Sequence, residues 1–177
     1  MSLTYIASVT ASASATLSFT SGIDSTYNEY QFHFANMHPA TDEVWFQFQV
    51  NADGASGFNE TITSTAFKAE HNEADSATGF GYNGGQDQAQ GTAYQQLSYV
   101  QQIANDEAYS GVLTVYDPSS TTYVKHFISV ANTTLDAGTK QDFHAGYINT
   151  TSAITQISFK TSSGTMDAGT IKMFGVS

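Results

Sequence analysis

The sequence predicts an all-β fold, an antiparallel β-sandwich of jelly-roll type, built as one domain over residues 1–177 with long loops in the 52–110 region. Three observations predict it. Apolar residues recur with a period of two, the periodic runs are filled with Thr, Tyr, Val, Ile and Phe, and clusters of Gly, Ser and Asn separate them. A chain of 177 residues buries about 70% of its unfolded surface as one domain, so it needs no covalent staple.

The elements follow in order. Leu3–Val9 and Thr16–Phe19 are short strand-like runs. Tyr30, Phe32 and Phe34 then alternate with Gln31, His33 and Ala35. Val44, Phe46, Phe48 and Val50 alternate in the same way with Trp45, Gln47, Gln49 and Asn51. Successive strand side chains point to opposite faces, so each run buries one face and wets the other. His38, Pro39, Ala40, Thr41 and Asp42 read as the turn between them.

From Ala52 to Gln90 the chain is rich in Gly, Asn, Asp, Ser and Gln, with isolated aromatics at Phe58, Phe67, Phe80 and Tyr82. A structureless loop of that length is unusual in a compact domain, so short strands on long exposed loops are expected. Gly91–Asn105 reads two ways. Ala93, Leu97, Val100 and Ile103 fit a helical stripe, while the Tyr, Val and Gln content fits strands; any helix is expected here or at Thr65–Ala74. Further strand-like runs occupy Gly111–Tyr116, Tyr123–Val130, Phe143–Ile148, Ile154–Thr161 and Thr170–Val176, the last two flanking the turn-rich Ser162–Gly169. The string Asp-Ala-Gly-Thr occurs at Asp136–Thr139 and Asp167–Thr170, which reads as shared turn chemistry rather than a repeat.

Charge limits the partners. There are 16 acidic residues against five basic ones, all Lys, for a net charge of -11. Such a surface repels phosphate backbones and anionic headgroups, and without Arg there is no bidentate fork for guanine or phosphate. Nucleic acid and membrane are therefore not expected as partners. No run approaches the roughly 20 apolar residues of a membrane helix. Met1–Ala15 lacks a basic n-region and is interrupted by Thr4, Tyr5 and Ser8, so it reads as mature sequence rather than an export signal. The chain has no Cys, hence no disulfide framework and no thiolate metal site.

A search for chemistry assigns no catalytic, cofactor-binding or metal residue. His33, His38, His71, His126 and His144 show no helical ligand spacing and no His-Glu-x-x-His pattern. Asp42 with Glu43, Glu70 with Glu73, and Asp106 with Glu107 are the candidate acidic pairs, but strand neighbours face opposite ways, and solubilising charge at loop tips is the favoured explanation. Asn51-Ala52-Asp53-Gly54 begins like a calcium loop, yet Ile62 stands where the bidentate Glu belongs, so it reads as a turn. Asn59, Asn132 and Asn149 head Asn-x-Thr sequons of a kind that arise by chance in a chain rich in Asn and Thr. Trp45 faces away from the apolar stripe of its strand, beside Gln47 and Gln49. That placement fits an interface, a doubly covered core or a sugar platform.

Two stretches carry a resemblance. Val115–Phe127 reads VYDPSSTTYVKHF, and Ile154–Val176 reads ITQISFKTSSGTMDAGTIKMFGV. Together they resemble a family of small structural proteins of tailed bacteriophages. Members carry an apolar-aromatic-x-Pro strand end, a Lys-His-Phe strand, an I-x-x-I-x-F run, a Ser-Gly turn and a closing strand like Gly-Thr-Ile-x-Leu-Tyr-Gly-Ile. Met173-Phe174-Gly175-Val176 departs from the last of these conservatively. Ser21-Gly22-Ile23-Asp24 and Tyr27-Asn28-Glu29-Tyr30 extend the similarity into the N-terminal half. Gly164 and Gly169 suit a tight reversal that brings the last two strands together. The resemblance implies a non-enzymatic virion protein without cofactors, made in the host cytoplasm and placed on the outer surface of the particle. It would be a capsid decoration (cement) or head-fibre protein, trimeric, with the major capsid protein or another virion protein as partner. A tail-fibre or receptor-binding tip, or a carbohydrate-binding module recognising a surface glycan, is the alternative.

Overall fold

The computed structural model describes residues 2–135 and 137–177. In chain order its strands are β1 (Leu3–Thr10), β2 (Leu17–Phe19), β3 (Glu29–Pro39), β4 (Phe46–Ala52), β5 (Ile62–Asn72), β6 (Thr78–Tyr82), β7 (Gln95–Gln96), β8 (Tyr109–Tyr116), β9 (Lys125–Leu135), β10 (Gly138–Ile148), β11 (Ile154–Thr161) and β12 (Met166–Val176). They form two antiparallel sheets of unequal width. The larger has the order β1-β12-β3-β8-β9-β10-β5-β6, the smaller β2-β11-β4-β7. The all-β sandwich expected from the period-two runs is thus the observed architecture. No helix occurs among the described residues: Thr65–Ala74 lies largely in β5, and within Gly91–Asn105 only Gln95–Gln96 is regular.

The small sheet covers one half of the large one, and the apolar core lies between them. Phe159 of β11 is its hub, with ring centroids 5.6 Å from Phe32, 5.3 Å from Phe34 and 5.8 Å from Phe46. Phe46 also meets Tyr109 at 5.2 Å, and Phe48 meets Phe127 at 5.1 Å. Edge-to-face and offset ring pairs of this kind contribute beyond the area they bury. Both chain ends are tied in. β1 pairs with β12, and Ser2 and Ser177 exchange backbone hydrogen bonds of 2.9 and 3.0 Å.

Four sequence readings need correction. The connection through His38–Asp42 does not close a hairpin, because β3 lies in the large sheet and β4 in the small one. The last two strands do not come together either. β11 pairs with β2 and β4, while β12 pairs with β1 and β3, so Ser162–Thr165 crosses between layers. Gly164 (φ 69°) serves that crossing, but Gly169 (φ 113°) sits inside β12, where the pairing with β3 slips by a bulge. The second Asp-Ala-Gly-Thr is therefore a strand bulge, whereas Ala137 and Gly138 of the first belong to the turn and start of β10; Asp136 lies outside the described residues, as does Met1. Finally, β5 is an 11-residue central strand rather than a short one, and its polar sequence ITSTAFKAEHN concealed it.

Candidate functional site

The other half of the large sheet, β9-β10-β5-β6, has its polarity reversed. Strand β9 alternates strictly between buried and exposed residues. Yet Lys125, Ser129 and Thr133 are among its buried members, while Ile128 and Val130 are 45% and 39% exposed. On β10 the buried pair is Asp142 and His144, and Phe143 between them faces outward. On β5 Lys68 and Glu70 face inward and Phe67 outward, paired with Phe143. Phe80 and Tyr82 on β6 are 77% and 63% exposed.

The inner polar face is covered by residues 83–101, in which the two-residue β7 is the one regular strand, through a lattice of glutamines. Gln95 Nε2 donates to the carbonyls of Gln86 (2.7 Å) and Gln96 (2.8 Å), and its Oε1 accepts from Ser64 Oγ (2.7 Å). Gln86 Nε2 donates to the Ser98 carbonyl at 2.6 Å. Gln49, fully buried, donates to the carbonyls of Glu60, Thr92 and Ala93 at 2.9–3.2 Å. A buried segment paired over only a few residues leaves many of its backbone groups without a ladder partner, and amide side chains satisfy both kinds. The reading of Gln49 as a wetted residue is thus corrected. Tyr99 completes the cover: its N–H donates to Asp142 Oδ2 at 2.8 Å, and Lys140 and Lys68 lie over its ring at 3.2 and 4.8 Å.

Burial raises the Asp142 carboxyl to about 6, against the opposing pull of the Tyr99 N–H and of Lys140 and Lys68. Burial alone lowers the His144 imidazole to about 4, and neither of its ring nitrogens has a hydrogen-bond partner. Lys125, also fully buried, is lowered by desolvation with Asp117 and Glu60 opposing, and it donates to the Thr150 carbonyl at 3.1 Å. These are interior groups held by the fold.

The remaining candidates are dispersed. His33 bonds Gln31 at 2.9 Å on the outside of β3, His71 pairs with Asp75 at 3.2 Å, and His126 is exposed on β9. Glu70 is held inward by Lys68 and Lys140, each at 3.1 Å, while Glu73 lies in the following turn. Asp42 and Glu43 are exposed loop residues. One place does collect candidates: a cleft of about 540 Å³ lined by His38, Asp106, Glu107 and Asp167, among others. His38 Nδ1 is 2.7 Å from Asp167, and Glu107 accepts from the Ala104 N–H at 2.9 Å. Burial opposes the imidazolium of His38, but the bonds to Asp167 and the Ala104 carbonyl and the nearby acidic charge outweigh it and raise its pKa. Asp167 and Glu107 are thus occupied by the fold, and no metal-holding group of three His, Asp or Glu exists among the described residues. Asn51–Gly54 ends β4 in a turn with Gly54 at φ 76°, and Ile62 is fully buried. Trp45 just precedes β4 and is 37% exposed, so it is not core.

No protein-family model and no curated protein sequence matches the chain. The surface with the clearest chemical character is the apolar outer face of β9-β10-β5-β6.

Proposed function

We propose that this chain is a non-enzymatic structural protein of a tailed bacteriophage particle, a capsid decoration or head-fibre protein that assembles as a trimer on the major capsid protein. The carrying observation is the pair of motif stretches, Val115–Phe127 and Ile154–Val176. They meet in space. The Pro118 carbonyl of the first accepts from the Ile154 N–H of the second at 2.7 Å, beside a closely packed apolar junction that includes Val115, Pro118, Ile154 and Ile157. Residues that resemble one family in two separate stretches are here parts of one packing unit, which supports reading them together.

The mechanical character of the fold supports the same reading. Termini pinned to each other, a chain with only five Lys and no Arg for trypsin-like attack, and Lys125 buried among those five suit a component exposed on a particle. Stabilisation would come from many equivalent contacts acting together on a symmetric shell. The test is quantitative mass spectrometry of virus particles purified from the source culture. Hundreds of copies of the chain per particle are expected; a handful would move it to the tail, and absence from particles would sink the reading.

A second reading, recognition of a surface glycan, draws on half-exposed Trp45. Binding of oligosaccharides that disappears in Trp45→Ala would favour it.

A further inference from the structure

We propose that copies of this chain bury the outer face of β9-β10-β5-β6 against one another. Ile128, Val130, Phe143, Phe67, Phe80 and Tyr82 make this face an apolar field across four adjacent strands. Charge is segregated away from it. The five charged residues of these strands, Lys68, Glu70, Lys125, Lys140 and Asp142, all occupy inward positions. A solvated sheet face has the opposite pattern, polar outward and apolar inward. Leaving this face in water forgoes the free energy of burying its apolar area, while the same strands bear the cost of burying charge behind it. Depletion of charge with enrichment in aromatics is the composition of an interface centre.

A second copy is the occupant that the charge distribution favours. The chain carries a net charge of -11, so two copies repel through most of their surfaces and approach most readily at this face. Its strands present no outward carboxylate, and it meets carboxylates only at its margin, where Asp87 accepts from Tyr82 and Asp75 pairs with His71. A basic partner would be drawn instead to acidic regions such as the Asp106–Glu107–Asp167 cleft. The footprint is adequate. Three strands of 11 residues and one of five, about 4.8 Å apart and rising about 3.3 Å per residue, cover roughly 600 Å² before side-chain relief, on the scale of the ~800 Å² per partner of a standard interface. The contact extends to an open margin. β6 (TGFGY) pairs only with β5 and bears neither a charge nor a proline to block a further strand.

This inference rests on reading the chain as an assembling protein, and the two fail separately: particle content tests the function, and mass in solution tests the face. Light scattering at micromolar concentration compares the wild type with Phe80→Glu, Val130→Lys and, as a control on the exposed loop outside these four strands, Ile103→Glu. The wild type and Ile103→Glu are expected at two or more times 19.0 kDa, and both face variants at 19.0 kDa with unchanged circular dichroism. Phe80 is 77% exposed, so its replacement leaves the fold intact. A monomeric wild type would overturn the proposal, as would face variants that fold and keep the wild-type mass.

Discussion

Phe67 and Phe143 stand opposite each other on β5 and β10 and stack with centroids 4.6 Å apart and planes 9° apart, on the outside of the sheet. Their inward neighbours Lys68 and Asp142 form the next register pair, behind the sheet. The stack should be energetically coupled beyond simple area burial. A double-mutant cycle of Phe67→Ala and Phe143→Ala is expected to give a coupling of about 0.5–1.5 kcal/mol. Urea unfolding at one fixed protein concentration measures it, since association contributes to apparent stability. Additive effects would mean that the rings merely lie beside each other.

Phe159 occupies the contrasting environment, fully buried with Phe19, Phe32, Phe34 and Phe46 around it. Phe159→Ala removes a ring from the hub between two sheets that cannot collapse into the space. It should lower the unfolding free energy by about 3–5 kcal/mol, far more than Phe80→Ala at the exposed edge. Comparing urea midpoints of the two variants checks both the size and the order.

Sequence alone revealed the half of the molecule in which polarity follows burial. Tyr30, Phe32, Phe34, Phe46, Phe48 and Val50 are spaced by two because β3 and β4 face one another across an apolar core. The other half was less legible because its strands reverse that relation. Ser129, Asp142 and His144 are polar and buried, so periodicity could not identify the inner face. The outer apolar field was hidden for the same reason: Phe67, Phe80 and Phe143 are far apart in sequence, and only the β6-β5-β10 register gathers them. A usable signal was present in Phe127-Ile128, where adjacent apolar residues in one strand must face opposite ways. Layer assignment was equally out of reach. Pro39–Asp42 and Ser162–Thr165 resemble hairpin turns locally, and only pairing shows that they cross between sheets.

Gly169 and Gly54 separate backbone conformation from space. Both have positive φ, at 113° and 76°. A Cβ at Gly54 would meet nothing within 4 Å, whereas one at Gly169 would lie 2.7 Å from the Asn36 carbonyl oxygen and the Met37 Cα. Gly54→Ala should therefore cost only the conformational penalty, about 1–2 kcal/mol. Gly169→Ala should cost clearly more, because the β12–β3 bulge has to shift. Equal melting temperatures for the two variants would contradict this.

Asp142 and His144 make opposing contributions to stability over one pH window. Asp142 titrates near 6 in the folded chain against an ordinary 3.8, so its ionisation penalises the fold above pH 6 and the penalty fades toward pH 4. His144 titrates near 4 against an ordinary 6.5, so the stability it permits at pH 7 is lost as pH falls from 6.5 to 4. Each amounts to about 3 kcal/mol, and together they nearly cancel. Asp142→Asn keeps an acceptor for the Tyr99 N–H and removes one side of the balance. It should be more stable than the wild type at pH 7, and that advantage should vanish by pH 4. His144→Leu should do the reverse, gaining on the wild type as the solution is acidified from pH 6.5. Urea unfolding of the three proteins at pH 7, 5.5 and 4.5 decides it. Parallel profiles would show that neither buried group changes its protonation on unfolding in this range.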